Sequence, residues 1–420
     1  MTTNTTAIAL KRTLPILLAG CAISAPAAAQ VRPNVRITNI QTRIQPTLDL
    51  GAHIKAPPSQ WKINPQALKM VPQAVAVNIA KQIRANMAGK SVGFAVTVIM
   101  PGGASASTVS GMARSAPDAN PRAWTDSDRI NVASVSKTVT AVAIVRAAAM
   151  QGVSLDTKAY TLLPADWTYS ASFKTISVRE LLTHNSGIRD CKPYNADLKS
   201  CAAMDWKAAD KSPSIDIYTK YSNANYGYLR WILSRIVDGK SPTEPIAGAR
   251  YWAIVNKLVI GPAGMGGADC SAPDNPALSY VSTKDNLIYN STVAPNYDFT
   301  TLKPGVNWGD DTPACGSEGW NLSSRQLATF ANALWVSNKL LPAETVDQMR
   351  KEGQGMMFSD FGNGLTAYGH NGYFPPANGG ELRSLILTFS NGVSVGMLVN
   401  SRYNGSFYDD IAKAVRAEAK

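Results

Sequence analysis

Apolar and polar residues follow two different spacings along this chain, and the change between them divides it. Residues 73 to 88 carry apolar side chains at helical intervals. Ser91-Val-Gly-Phe-Ala-Val-Thr-Val-Ile-Met100, the turn Pro101-Gly-Gly103 and Ser105 to Met112 then predict a strand, a turn and a second strand. From Ser134 to about residue 335 the spacing is mostly helical, with long loops. It predicts helices from Ser134 to Gly152, over Val178 to Thr183, Asn225 to Val237, Ile246 to Val259 and Ser323 to Ser337. A further helix is predicted near Ala343 to Glu352, after which strand patterns return. Leu365 to His370, Leu382 to Phe389 and Val393 to Asn400 read as strands, the last two joined as a hairpin at Asn391-Gly392, and Tyr408 to Ala419 reads as a closing helix.

Strands at both ends with helices between them predict an α+β fold. The two ends meet in one antiparallel sheet flanked by helices, with an all-helical subdomain beside it. The cleft between sheet and helical region is the expected catalytic position. The predicted organisation is a signal peptide over residues 1–29, a proline-rich leader over 30–72, and one domain over 73–420. That domain takes its sheet parts from 73–128 and 338–420 and its helical part from 129–337.

The N-terminus reads as an export signal. Lys11 and Arg12 precede the apolar stretch Leu14 to Ile23, and Ala27-Ala28-Ala29 before Gln30 has the small-residue cleavage pattern. Leu18-Ala19-Gly20-Cys21 also matches a bacterial lipobox, so a lipid anchor at Cys21 stands as the alternative to soluble periplasmic or secreted export. No later apolar run reads as long enough to span a bilayer. After Cys21, the even set Cys191, Cys201, Cys270 and Cys315 suggests two disulfides in an oxidising compartment. Of three pairings, Cys191 with Cys201 is preferred for its short loop, leaving Cys270 with Cys315.

Composition narrows the function classes. Over 420 residues, 45% apolar and 17% charged content fits a globular domain. The formal charge of +12 is spread along the chain without a basic arm, so no nucleic-acid partner is expected. With only His53, His184 and His370, and no Cys-x-x-Cys spacing, neither a metal site nor another cofactor is expected.

The chemistry concentrates in Ser134-Val-Ser-Lys137. A serine and a lysine three apart at a helix start share one face, and a buried, neutral lysine can take the serine proton. Ser59-Gln-Trp-Lys62 has the same spacing, but Pro57, Pro58 and Pro65 around it preclude a long helix. Tyr221-Ser222-Asn223 supplies a hydroxyl that can relay a proton and an amide that can bond both the lysine and a substrate carbonyl. His370-Asn371-Gly372, following a strand, offers an edge for substrate. Its competitor Lys351-Glu-Gly353 reads as a glycine-capped helix end.

With these three motifs in this order, the chain resembles the β-lactamase and DD-peptidase-like serine hydrolases, the branch of class C β-lactamases, DD-carboxypeptidases and β-lactamase-like esterases. Ile176 to Ile188, Tyr221 to Tyr228, Val259 to Met265 and Gly319 to Ala328 resemble further segments of the family, over residues 73 to 420. The resemblance implies Ser134 as acylated nucleophile, Lys137 as its base and Tyr221 as proton relay. It further implies Asn223 as substrate and lysine partner, and His370 and Gly372 where many relatives have Lys-Thr-Gly. The N–H groups of Ser134 and Tyr373 would form the oxyanion hole, and His184 would be structural. Histidine in place of lysine predicts a substrate-side cation present only part of the time near neutral pH. The expected function is an exported serine hydrolase acting on a D-alanyl peptide or small ester through an acyl-enzyme. The alternatives are class C-like β-lactam hydrolysis, or a penicillin-sensing or wall-binding module without turnover.

Overall fold

A computed structural model describes residues 73–189, 197–206, 220–243, 246–284, 298–376 and 379–418. The predicted signal, leader and Ser59 motif lie outside the described residues, as does Cys191.

Helix α1 (Gln73–Met87) buries Ala76, Ile79, Ala80, Ile83 and Met87, one stripe at helical spacing. Strands β1 (Gly93–Ile99) and β2 (Ser105–Arg114) form the predicted hairpin, and β3 (Arg122–Ala123) pairs with β2. The helical region opens after β4 (Ile130–Asn131), with a 3₁₀ turn at Ala133–Val135 running into α2 (Ser136–Gln151). It continues through α3 (Val178–Leu182), α4 (Leu198–Ala203), α5 (Asn223–Asp238) and α6 (Ile246–Val255), and closes at β5 (Asn321–Leu322), which pairs with β4. Then come α7 (Ser324–Trp335), α8 (Ala343–Glu352), β6 (Met357–Asp360), β7 (Thr366–Phe374), β8 (Leu382–Phe389), β9 (Ser394–Val399) and α9 (Phe407–Ala417).

The main sheet has seven strands in the order β3-β2-β1-β9-β8-β7-β6, with every described neighbour antiparallel. The two ends of the chain meet where β1 pairs with β9, as the pattern predicts. Alternation along the strands splits the core. Phe94, Val96, Val98, Leu385, Leu387, Val395 and Met397 pack with α1 and α9, whereas Ala95, Ile386 and Leu398 join the cluster that holds α2, α5 and α7. Helix α7 lies close on the sheet at Gly396, where a Cβ would meet Ala328 N at 2.4 Å.

Three readings need correction. Residues Ala133–Gln151 are long and apolar enough to cross a membrane, contrary to the expectation for later runs, but 78% of that window is buried inside the fold. A helix enclosed on all sides is apolar all round, which is why composition alone does not separate the two cases. The helix read over Ile246 to Val259 changes to a π turn at Asn256–Ile260. The strand read as ending at His370 runs on to Phe374, so the His370-Asn371-Gly372 motif lies within β7 rather than after it. Cys270 and Cys315 form a disulfide, and Cys201 is also disulfide-bonded.

Candidate active site

The site forms where the start of the helical region lies against β7. Asn131 accepts the Ala133 N–H at Oδ1 (2.8 Å), Val132 N–H donates to the Trp320 carbonyl (2.8 Å), and Ser384 Oγ donates to the Val132 carbonyl (2.6 Å). These bonds hold Ala133 at φ 46°, a left-handed conformation that costs a non-glycine residue free energy and persists only where surroundings over-determine it. Ser134 follows at once, partly exposed while Ala133 and Val135 are buried. Gly372 makes the approach of β7 possible. A Cβ there would stand 2.2 Å from the Val132 carbonyl oxygen and 2.3 Å from Ser384 Oγ.

Lys137, one turn on, is fully buried. Its Nζ donates to Ser134 Oγ at 3.0 Å and to the Ser317 carbonyl at 2.7 Å. Burial drives its pKa down from 10.5 to about 7, and the carboxylate of Glu318 partly opposes that shift. A neutral amine is therefore well populated beside the hydroxyl at neutral pH.

Tyr221 lies over this pair, its ring centroid 4.8 Å from Lys137 Nζ. The His184 ring stacks on it at 4.3 Å between centroids, and the His370 ring lies tilted to it at 6.4 Å. His184 accepts at Nδ1 from Ser222 N–H (3.2 Å) and faces Asn225 Nδ2 (3.1 Å), with its pKa held well below the usual histidine value by burial. It positions the tyrosine loop, in keeping with a structural role.

Asn223 is the first residue of α5, two positions before the predicted helix start, and it is buried. Its Oδ1 has no hydrogen-bond partner among the described residues, so the expected bond to Lys137 is not made; the Ser317 carbonyl takes that place. His370 also departs from expectation. Burial, and then the charge of Lys137, lower its pKa to about 3, while Nδ1 lies 2.6 Å from the Asn371 carbonyl. The imidazole is thus neutral near pH 7, and the part-time cation predicted from sequence is absent. Tyr373 follows Gly372 in β7, with the Arg383 guanidinium 3.8 Å from its ring centroid.

Sequence reading missed the loop that faces Lys137 from the other side. Cys315 is tied to Cys270, and Gly316 sits where a Cβ would be 2.6 Å from the Tyr226 carbonyl oxygen of α5. Glu318 follows, partly exposed, with burial raising its pKa to about 7. Asp311, bonded to Asn131 Nδ2 at 3.1 Å, is raised by burial to about 6. The signal was the Gly316-Ser-Glu-Gly319 run, whose last glycine opens a segment already matched to the family.

A buried lysine beside a serine hydroxyl, on a strained turn against a sheet edge, has the arrangement that a nucleophile and its base require. Comparisons with known proteins bear on the fold and the family. A D-stereospecific amidohydrolase from a Streptomyces species is 21% identical, with a TM-score of 0.57, over 81% of this chain and 98% of its own. The D-amino acid amidase of Ochrobactrum anthropi SV3, solved with L-phenylalanine amide, is 17% identical, with a TM-score of 0.61, over 82% of this chain and 100% of its own. A mutant class C beta-lactamase is 17% identical, with a TM-score of 0.56, over 82% and 97%. These three share the fold. No curated protein matches the chain. The family model described as Beta-lactamase matches residues 79–420, and the chain belongs to that family.

Proposed function

We propose that the chain is an exported serine hydrolase that forms an acyl-enzyme at Ser134 on an amide or ester of a D-amino acid, a D-alanyl peptide, or a small ester. The observation that carries this reading is the 3.0 Å contact of Ser134 Oγ with an amine whose proton affinity burial has lowered to near neutrality. Neutral Lys137 takes the hydroxyl proton as Ser134 attacks the carbonyl. The N–H groups of Ser134 and Tyr373 hold the developing oxyanion. Tyr221 and Lys137 return the proton to the leaving group, and water attacks the acyl-enzyme with the same pair as base. The D-configuration comes from the amidohydrolase and amidase of like fold, and the disulfide Cys270–Cys315 favours an oxidising compartment. Neutral His370 leaves β7 without a fixed cation for the carboxylate of a β-lactam, which weighs against class C-like hydrolysis.

The test incubates the protein and Ser134→Ala with a fluorophosphonate, a fluorescent penicillin, a p-nitrophenyl ester and a D-Ala-D-Ala peptide. Labelling and turnover that vanish together in Ser134→Ala are expected. Ester turnover that survives the substitution overturns the mechanism, and labelling without product release assigns the chain to a sensor.

A further inference from the structure

We infer that the buried Arg383–Glu381 pair is a positioning device for oxyanion binding: its guanidinium, stacked on the Tyr373 ring, fixes the backbone N–H of residue 373 from the far face of the sheet. This rests on the serine-hydrolase reading above and deepens it.

The two faces of β7 divide the work. Gly372 faces the nucleophile turn, where a Cβ would stand 2.2 Å from the Val132 carbonyl oxygen and 3.1 Å from Ala133 Cβ. Successive side chains on a strand point to opposite faces, so the Tyr373 ring points away from that turn while its backbone stays beside it. Tyr373 pairs across the ladder with Arg383 of β8, and Ser384, the next residue, sends its Oγ to the Val132 carbonyl on the nucleophile side. Tyr373 and Arg383 thus share the far face as directly opposed cross-strand neighbours. The guanidinium carbon lies 3.8 Å from the Tyr373 ring centroid, a close cation–π contact.

This end of β7 needs such an anchor. β6 pairs with β7 only from Thr366 to Gly369, so from His370 to Phe374 its one strand partner among the described residues is β8. The anchor is itself locked. Glu381 Oε1 accepts from Arg383 Nε (3.2 Å) and Nη2 (2.6 Å), and Glu381 Oε2 accepts from Arg402 Nε (3.4 Å). Glu381 and Arg383 are both buried. Enclosing these charges costs desolvation that an apolar cluster would avoid, so stability alone does not account for them. A guanidinium gripped by its own carboxylate holds the ring, and the ring holds the peptide that carries it. Oxyanion donors act through such pre-organisation, because the charge they meet develops only in the transition state.

The experiment uses the full chain with Arg383→Met, Arg383→Lys, Tyr373→Leu and the double variant of Arg383→Met with Tyr373→Leu. It measures the rate constant of fluorophosphonate labelling at Ser134, with kcat and KM for p-nitrophenyl acetate. Tyr373→Leu keeps the N–H and removes the ring. Arg383→Met and Tyr373→Leu should each lower kcat and the labelling rate by about 2- to 30-fold, the rate equivalent of a cation–π contact, without a change in KM. The double variant should be no slower than the slower single one, since both substitutions remove one contact. Arg383→Lys, which keeps a cation over the ring and a donor for Glu381, should recover part of the loss. Labelling of Tyr373→Leu at the wild-type rate overturns the inference, and does so even where Arg383→Met fails to fold. Losses that multiply in the double variant, or that appear in KM alone, overturn it as well. All of these leave Ser134 labelled and the hydrolase reading standing; a wild type that is not labelled overturns that reading, and the inference falls with it.

Discussion

Replacing Lys137 by methionine should stabilise the fold while abolishing hydrolysis. Methionine is similar in length and apolar, and Lys137 is fully enclosed. In the unfolded chain the amine holds its proton up to its ordinary pKa of 10.5, but in the fold only up to about 7. At about 1.4 kcal/mol for each tenfold change in proton affinity, carrying this lysine costs the folded state about 4 kcal/mol at neutral pH. Its removal leaves the Ser317 carbonyl without a donor, worth about 1–3 kcal/mol. The variant should therefore be about 1–3 kcal/mol more stable near pH 7. The sign with pH follows from a folded-state pKa that is depressed. Between about 7 and 10.5 the unfolded chain keeps the proton and the folded chain does not, so wild type gains stability as pH rises and the variant does not. Urea unfolding at about pH 7 and about pH 9.5 should show the gap narrowing. A variant less stable than wild type near neutrality, or a gap indifferent to pH, would refute the reasoning.

Gly372→Ala should cut hydrolysis sharply and destabilise by about 1–3 kcal/mol, since its Cβ would overlap the Val132 carbonyl and push the nucleophile turn away; activity and melting curves test this. Replacing both Cys270 and Cys315 by serine should lower stability by about 2–4 kcal/mol in urea and reduce kcat, because the loop that supplies the Ser317 carbonyl loses its tether. His370→Gln should leave the acid limb of the pH–rate profile where it is, because the imidazole is already neutral there; a limb that moves assigns the titration to His370.

What was legible in the sequence was local. Ser134 and Lys137 are three apart, so a helical start alone places them on one face, and β8 could be read residue for residue from its apolar run. Long-range contacts left no comparable trace. The second acceptor of Lys137 is a backbone carbonyl 180 residues away, and a carbonyl has no residue type to recognise. His370 was placed at the right edge but given the wrong charge, because its neutrality comes from burial against Lys137 and Tyr221, which only the folded chain creates. The polar run His370-Asn371-Gly372 also hid the continuation of β7, since its polar positions interrupt the apolar pattern that marks a strand.

The central claim is that a neutral Lys137 activates Ser134, and the pH dependence of fluorophosphonate labelling at Ser134 tests it most directly. The rate constant should rise through about pH 7 to a plateau, and the residual rate in Lys137→Met should lose that rise. A labelling rate in wild type that does not change between about pH 5.5 and about pH 9 would contradict the account.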